Sequence, residues 1–303
     1  MASLRLYLKA VRLPFLSGSL LPVTAASALA YLIDRTFAPG LFLLNLVGVA
    51  ALHLGANLIN DYYDASGSDP LNRNVTPFSG GSRVIQNREL SPAAVRRLAY
   101  LLLSLGSLTG LALIFLGRPW VALLGVLGLA AGFCYSAAPL RLMSAGLGEG
   151  LIFLAFGPLL SLGTYYVQTG RFRPEGAAVG LPLAFLITAI IWINEFPDLE
   201  ADLAAAKRHL VARLGLKRSR WVYAALMLAP FASLFFLMEV FLLPDLIVAA
   251  LVALPAALKA IGIAWRVPPT EPKFVPAQAL TIQTHFLVGL TLTLALLYAG
   301  WWR

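Results

Sequence analysis

The chain has 303 residues, of which 59% are apolar and only 12% charged, and its mean hydropathy is +0.81. Soluble domains carry about 25% charged residues, so this composition excludes a soluble globular protein, a disordered segment and a coiled coil. Cys134 is the only cysteine and sits inside an apolar run, which excludes a disulfide-stapled module and thiolate metal chemistry.

In chain order, a window of about 19 residues marks apolar stretches near 13–33, 41–61, 96–117, 119–137, 146–169, 176–196, 221–242, 244–263 and 278–301. Nine spans of about 20 residues each use about 180 residues and leave the remainder for termini and connections. The pattern predicts an all-α integral membrane protein: a bundle of about nine transmembrane helices around a central cavity, forming one domain over 1–303. Arg5, Lys9 and Arg12 precede a first apolar run that reaches Leu32 without a small-residue cleavage site, so this span is expected to be retained. Two longer connections, 62–95 and 197–220, have too few apolar residues for cores of their own and are expected to cap the mouth of the bundle. They stand four spans apart and both carry acids, a hint of a duplicated four-helix unit.

The basic residues set the orientation. With the N-terminus cytoplasmic, 18 of the 23 Lys and Arg fall on the inside, and only Arg35, Arg118, Arg171, Arg173 and Arg303 fall outside. That asymmetry predicts a multi-pass protein of the cell (inner) membrane with its C-terminus outside. The net charge of +9 is then topology, and no nucleic-acid partner is expected. Trp301, Trp302 and Arg303 read as an outer interfacial anchor and positive cap.

The second span runs into Asn57-Leu-Ile-Asn60-Asp61-Tyr-Tyr-Asp64, with Asp69 beyond. If the helix persists, Asn57, Asn60, Asp61 and Asp64 share one face. The sixth span ends in Asn194-Glu195-Phe196-Pro197-Asp198-Leu-Glu200-Ala-Asp202. Pro197 is expected to end that span and open a short new helix, leaving Asp198 and Asp202 on one side. Two carboxylates one turn apart repel by roughly 3 kcal/mol at an effective dielectric near 20. Acids at helix ends also serve as dipole partners, so one cluster alone decides little. Two clusters on the same side of the membrane, followed by Lys207, Arg208 and Arg213 and accompanied by Gly80-Gly81-Ser82-Arg83, suit a pair of Mg²⁺–diphosphate sites. His53 and His285 lack metal-ligand spacing and read as interhelical hydrogen-bonders. Glu149 opens the fifth span, and a place on the cavity wall is expected for it. The glycines of the fourth and fifth spans, Gly125, Gly128, Gly132 and Gly148, either shape an apolar exit or allow close helix packing.

Asn60-Asp61-x-x-Asp64 with Asp69, Phe78-Ser-Gly-Gly-Ser-Arg83-Val-Ile, Tyr135-Ser-x-x-Pro139-Leu-Arg141, Leu147-Gly-Glu149 and Asp198-x-x-x-Asp202 followed by Lys207-Arg208 together resemble the UbiA superfamily of intramembrane prenyltransferases. Phe156-Gly-Pro-Leu-Leu, Gly163-Thr-Tyr-Tyr-Val-Gln-Thr-Gly170 and Arg213-Leu-Gly215 are most similar to its menaquinone branch, the 1,4-dihydroxy-2-naphthoate polyprenyltransferases. The resemblance covers nearly the whole chain. It implies Mg²⁺-dependent transfer of a polyprenyl group from its diphosphate to a small aromatic acceptor. By motif match, Asn60, Asp64, Asp198 and Asp202 fall on metal positions, and Arg83, Arg141, Lys207 and Arg208 on positions that bind diphosphate. Tyr135 falls at the nascent cation, where Tyr62 and Tyr63 also offer ring faces, and Asp61 is a candidate base. Asn57, Asp69 and Asn194 stand beside these as further candidates. The chain departs from the family pattern in three places: four residues separate Asp64 from Asp69 where three are usual, which sets Asp69 apart from the expected ligands, Ala206-Lys207-Arg208-His209 stands where Gly-Lys-Arg-Thr is usual, and Phe196-Pro197 stand where a polar residue or Arg is expected. Other readings are the same chemistry on 4-hydroxybenzoate, haem, a tocopherol-type ring or a chlorin, or a cation-coupled secondary transporter. A transporter site usually lies near the midplane, whereas these acids lie at the ends of spans.

Overall fold

The computed structural model describes residues 4–302. After a short helix, Leu4–Ala10, nine apolar helices follow among the described residues: α1 (Leu13–Asp34), α2 (Pro39–Asp64), α3 (Pro92–Phe115), α4 (Val121–Ser136), α5 (Gly148–Thr169), α6 (Pro174–Ala204), α7 (Leu210–Phe241), α8 (Asp245–Arg266) and α9 (Pro272–Trp301). All but α4 are long and apolar enough to cross a membrane. With 16 residues, α4 reaches about 24 Å. Each sequence-predicted span therefore has its helix. Trp301 and Trp302 end α9 exposed, and Arg303 lies outside the described residues.

The bundle packs most tightly around α6, which carries Leu183, Leu186, Ala189 and Ile193 against α1, α7 and α9. Lipid is as apolar as leucine, so helix association here depends on close packing rather than on removal from water. Small residues supply it. The alanine-rich face of α1 buries Ala25, Ala26, Ala28 and Ala30, and a Cβ on Gly289 of α9 would lie 2.8 Å from Leu21. Between α5 and α6, a Cβ on Gly157 would lie 2.2 Å from that of Ala184 and 3.1 Å from the Gly180 carbonyl oxygen. Gly157 sits in one wide π-turn, Ala155–Leu159, which accommodates Pro158 and its missing N–H. Gly157→Leu is accordingly expected to cost 3 kcal/mol or more, beyond ordinary overpacking of about 1–3 kcal/mol, read as a lowered unfolding temperature in detergent; an unchanged midpoint would show that α5 and α6 can separate freely.

Two expectations about the caps change. Pro197 does not end the sixth span: α6 continues through it to Ala204. Proline removes one backbone donor, but Phe196, Pro197 and Ala201 are all buried, and packing of that quality offsets one lost bond in a membrane helix. The segment 197–220 is consequently mostly helix, with only 205–209 between α6 and α7. Helix α7 kinks at Gly215, its sixth residue, where φ is +71°. The charge run from Lys207 to Arg220 had lowered the local hydropathy without ending the helix. The other cap, 65–91, is irregular apart from one turn at Asp69–Leu71. Its Val84 and Leu90 bury against Leu58, Ile59 and Val95 of α2 and α3, which folds the loop back over the end of the bundle.

Candidate active site

Helix α2 outlasts its apolar stretch by one turn and presents Asn57, Asn60 and Asp64 on one face; α6 does the same with Asn194, Asp198 and Asp202. Both ends open on a cavity of about 300 Å³, with Tyr135, Lys207, His209, Asp69 and Asn72 also at its mouth and Val49, Leu52, Phe156, Leu160 and Ile187 deeper down. Lys207 joins the two acid clusters: its Nζ lies 3.1 Å from Asp64 Oδ2 and 3.2 Å from Asp202 Oδ1. Asn60 Nδ2 donates to Asp64 Oδ2 at 3.1 Å and to Ser136 Oγ at 2.9 Å. Asn194 Oδ1 accepts from Gln278 Nε2 at 2.9 Å, and Asn57 Nδ2 donates to the Val11 carbonyl.

The irregular loop closes over α6 through Asp198. Asn72 Nδ2 donates to Asp198 Oδ1 at 2.7 Å and Gly80 N–H donates to Oδ2 at 3.0 Å. Gly80 and Gly81 have φ of +77° and +74°, a conformation that glycine adopts without penalty. Behind the turn, both oxygens of Asp61 accept from Ser82 N–H, at 3.2 and 3.3 Å. Asp61 is buried and does not line the cavity, so its geometry is that of a strut under the Gly-Gly turn and does not suit a base facing substrate. The side chain of Asp61 turns one helical position away from Asn60 and Asp64, which the spacing had grouped together.

Three of the four basic residues matched to diphosphate positions stand off the cavity wall. Arg83 Nη1 donates to the Asp69 carbonyl, and Arg141 and Arg208 are exposed. Lys207 alone of the four lines it, joined by Arg12, which the sequence had marked only as a topology signal. Tyr62 and Tyr63 pack edge to face on each other, with Arg96 over Tyr62, leaving Tyr135 as the cavity tyrosine. Glu149 takes the Leu210 N–H at the start of α7 instead of facing the cavity. His53 bonds Ser19 across α1 and α2, whereas His285 is fully buried with neither ring nitrogen hydrogen-bonded among the described residues.

The charges at the mouth are mutually dependent. Burial pulls the Lys207 ammonium down, but Asp64 and Asp202 outweigh it and hold its pKa above the ordinary value. Burial, reinforced by Asp64 and Asp61, lifts the Asp69 carboxyl to about 7. His209 has Glu195 Oε2 3.2 Å from Nδ1 and Asp202 Oδ2 3.2 Å from Nε2. Burial opposes its protonation, yet the two carboxylates raise its pKa to about 10. The Ala212 N–H donates to Nδ1 at 3.3 Å and caps the start of α7, so that nitrogen faces both a backbone donor and the Glu195 carboxylate. Glu149, Glu195 and His209 each bring one ligand atom to within 4.8 Å of the others, a buried group of the kind that can hold a cation. Ala206, where the family pattern has glycine, holds φ of +58°, so this chain keeps the left-handed turn before Lys207 at a cost of about 1–2 kcal/mol.

The sequence profile described as the UbiA prenyltransferase family matches residues 19–282. The chain belongs to this family. As a UbiA protein it is a prenyltransferase and a multi-pass membrane protein. Among relatives, it is 32% identical over 263 residues to a 1,4-dihydroxy-2-naphthoate octaprenyltransferase of Mycobacterium tuberculosis (strain ATCC 25618 / H37Rv), covering 86% of this chain and 87% of that one. It is 31% identical over 228 residues to UbiA prenyltransferase domain-containing protein 1 of Mus musculus, covering 74% and 66%. In fold it is similar to the UbiA homolog from Aeropyrum pernix K1, with TM-score 0.70 and 15% identity over 93% of this chain and 97% of that one. It is similar also to the UbiA homolog from Archaeoglobus fulgidus bound to GPP and Mg²⁺, with TM-score 0.63 and 19% identity over 93% and 99%.

Proposed function

We propose that this UbiA protein transfers a polyprenyl group from polyprenyl diphosphate to 1,4-dihydroxy-2-naphthoate in a Mg²⁺-dependent reaction at the cytoplasmic mouth of the bundle. The observation that carries the reading is the meeting of Asp64 and Asp202 at Lys207 over an apolar cavity. The acceptor is suggested by the relative named as a dihydroxynaphthoate octaprenyltransferase, and the orientation by the one-sided distribution of Lys and Arg.

Mg²⁺ fits the residues present: the donors are hard oxygens, and the carboxylates of Asp64, Asp198 and Asp202 outnumber the one ammonium between them. Asn60, Asp64, Asp198 and Asp202 would hold it, with Asp69 beside them. When bound, the ion neutralises diphosphate and favours charge on the departing oxygen. Lys207 and Arg12 bring cationic donors to the same oxygens. Tyr135 offers a ring face to the allylic cation, while Leu52, Phe156 and Ile187 keep out the water that would quench it. Asp61 and Arg83 act through the loop, the first on the Gly-Gly turn and the second on the backbone of Asp69. Arg141 and Arg208, exposed beside the mouth, steer the anionic donor toward it.

The test is diphosphate release from geranylgeranyl diphosphate by the purified protein, with and without EDTA, offering dihydroxynaphthoate, 4-hydroxybenzoate or no acceptor. Mg²⁺-dependent release with dihydroxynaphthoate alone is expected. Release with 4-hydroxybenzoate alone would overturn the acceptor and keep the chemistry. In the same assay Gly81→Ala is expected to lower kcat/KM about tenfold. Its Cβ would stand 2.8 Å from Asp69 Oδ2, and left-handed alanine costs about 1–2 kcal/mol. Unchanged kinetics would free the loop of any part in donor binding.

A further inference from the structure

We propose that Glu149, Glu195 and His209 form a second divalent-metal site, of the Zn²⁺ class, that ties α5, α6 and α7 together beside the carboxylates of the mouth. Each of the three residues offers one ligand atom, and these atoms lie within 4.8 Å of one another. The site uses neither Asp64 nor Asp198, and it does not depend on which donor or acceptor the protein takes.

Three helix ends build the cluster. Glu149 stands in the first turn of α5, Glu195 on α6 two turns before Asp202, and His209 at the start of α7, where Nδ1 accepts from the Ala212 N–H. The connection between α6 and α7 is fixed from both sides: the Lys207 N–H donates to the Asp202 carbonyl and the Arg208 N–H to the Ser144 carbonyl, both at 2.9 Å. That turn carries the imidazole inward until His209 is 1% exposed, and Glu149 is as deep at 2%. A nitrogen donor thus stands where the family pattern has threonine.

The electron-rich atoms left without partners point to a cation. Glu149 Oε1 accepts from the Leu210 N–H at 2.6 Å, but Glu149 Oε2, Glu195 Oε2 and His209 Nε2 are buried with no hydrogen bond among the described residues. Buried charges are paired or coordinate metals. Lys207 is committed to Asp64 and Asp202, and among the described residues Glu195 has only the His209 ring beside it, Oε2 lying 3.2 Å from Nδ1 but outside hydrogen-bond geometry. One imidazolium does not neutralise Glu149 and Glu195 together, whereas a dication shared by both carboxylates and a neutral ring leaves that corner balanced.

The donor set selects the ion. Mg²⁺ takes oxygen ligands and keeps its waters, while an imidazole nitrogen beside two carboxylates suits Zn²⁺. Tetrahedral Zn²⁺ with bonds of about 2.0–2.2 Å holds neighbouring ligand atoms about 3.3–3.5 Å apart, close to the 3.2 Å between His209 Nδ1 and Glu195 Oε2. The contact the ion displaces at Nδ1 is the long one from Ala212, at 3.3 Å. Nε2 then faces Asp202 Oδ2 at 3.2 Å, the carboxylate that a ligating histidine takes on its other nitrogen. Glu195 and His209 line the central cavity, which gives the ion its entry and leaves the fourth position to water.

Zn²⁺ affinity of the full chain in detergent, measured against a chromophoric chelator in millimolar Mg²⁺, tests the site without any turnover. Wild-type protein is expected to hold about one Zn²⁺ per chain, filling the open position with water as three-ligand sites do. His209→Thr keeps a side-chain oxygen to cap α7, and Glu149→Gln keeps an acceptor for Leu210. Each is expected to weaken Zn²⁺ binding at least about tenfold, the lower end of what even outer-shell partners of a metal contribute. Asp198→Asn alters the mouth but not this cluster, and its Zn²⁺ affinity is expected to equal that of wild type. Because an ion bound only to folded protein stabilises it, Zn²⁺ should also raise the unfolding midpoint of wild type and leave that of His209→Thr in place. Wild-type affinity in both His209→Thr and Glu149→Gln would overturn the site, as would an equal loss in Asp198→Asn, which would put the ion among the carboxylates of the mouth. No Zn²⁺ retained by wild type would overturn it too, and would leave a proton on the ring as the cation of the cluster.

Discussion

Asp198→Ala is expected to lower prenyl transfer by about 10²–10³-fold, the loss typical of removing one group that stabilises developing charge. Asp64→Ala should fall in the same range. Asp198 has two tasks: it faces the cavity, and its oxygens tie Asn72 and Gly80 of the loop to α6. Its removal should therefore raise the donor KM as well as lower kcat. Asp64 holds Asn60 and Lys207 but no loop backbone, so Asp64→Ala should act mainly on kcat. Neither change touches the apolar faces of the spans, and the helical signal and detergent-soluble yield should match wild type. Asp69→Asn should cost much less, because Oδ2 already takes Gln86 Nε2 at 2.8 Å and burial raises its carboxyl to about 7. Diphosphate release measured across a Mg²⁺ series checks all three. Full activity in Asp64→Ala and Asp198→Ala would remove the metal assignment, and a loss in Asp69→Asn equal to theirs would make Asp69 a full ligand.

The helices and acid clusters could be read from the sequence because membrane helices are the strongest local signal a chain carries. Apolar runs of about 20 residues have few alternatives, and i, i+4 spacing puts Asp198 and Asp202 on one face whether or not Pro197 breaks the helix. What local reading missed depends on distant contacts. Pro197 favours a helix start in isolation, and only burial of its neighbours and the loop bonds to Asp198 carry α6 past it. Asp61 shares its helical face with Asp64 within the tolerance of spacing arguments, yet Ser82, twenty-one residues on, claims both its oxygens. Arg12 was one positive charge among many before Phe15, beneath its guanidinium at 4.7 Å, and the Phe78 carbonyl placed it at the cavity. Asn72 had no signal, since nothing in its neighbourhood shows that its carboxamide reaches Asp198 across 126 residues.

Lys207→Met should have the largest effect on stability, and the effect should depend on divalent cations. Lys207 is 9% exposed, and its ammonium lies between two carboxylates from separate helices. Removing one partner of a buried ion pair costs about 3–5 kcal/mol because the remaining charge stays buried; at about 2–4 °C per kcal/mol, the unfolding midpoint in EDTA should drop by about 10 °C. Mg²⁺ placed among Asp64, Asp198 and Asp202 supplies the missing positive charge, so its addition should raise the midpoint of the variant by more than that of wild type. Activity should not follow stability. With Mg²⁺ saturating, Lys207→Met should still transfer about 10²-fold more slowly, since the donor to the departing diphosphate is gone. Lys207→Arg keeps the charge, but a planar guanidinium does not reproduce a point charge 3.1 and 3.2 Å from two carboxylates; it should recover most of the stability and only part of the rate. Equal Mg²⁺ shifts in wild type and Lys207→Met would show that the ion does not sit among these carboxylates, because only an ion that replaces the lysine's charge can distinguish the two proteins.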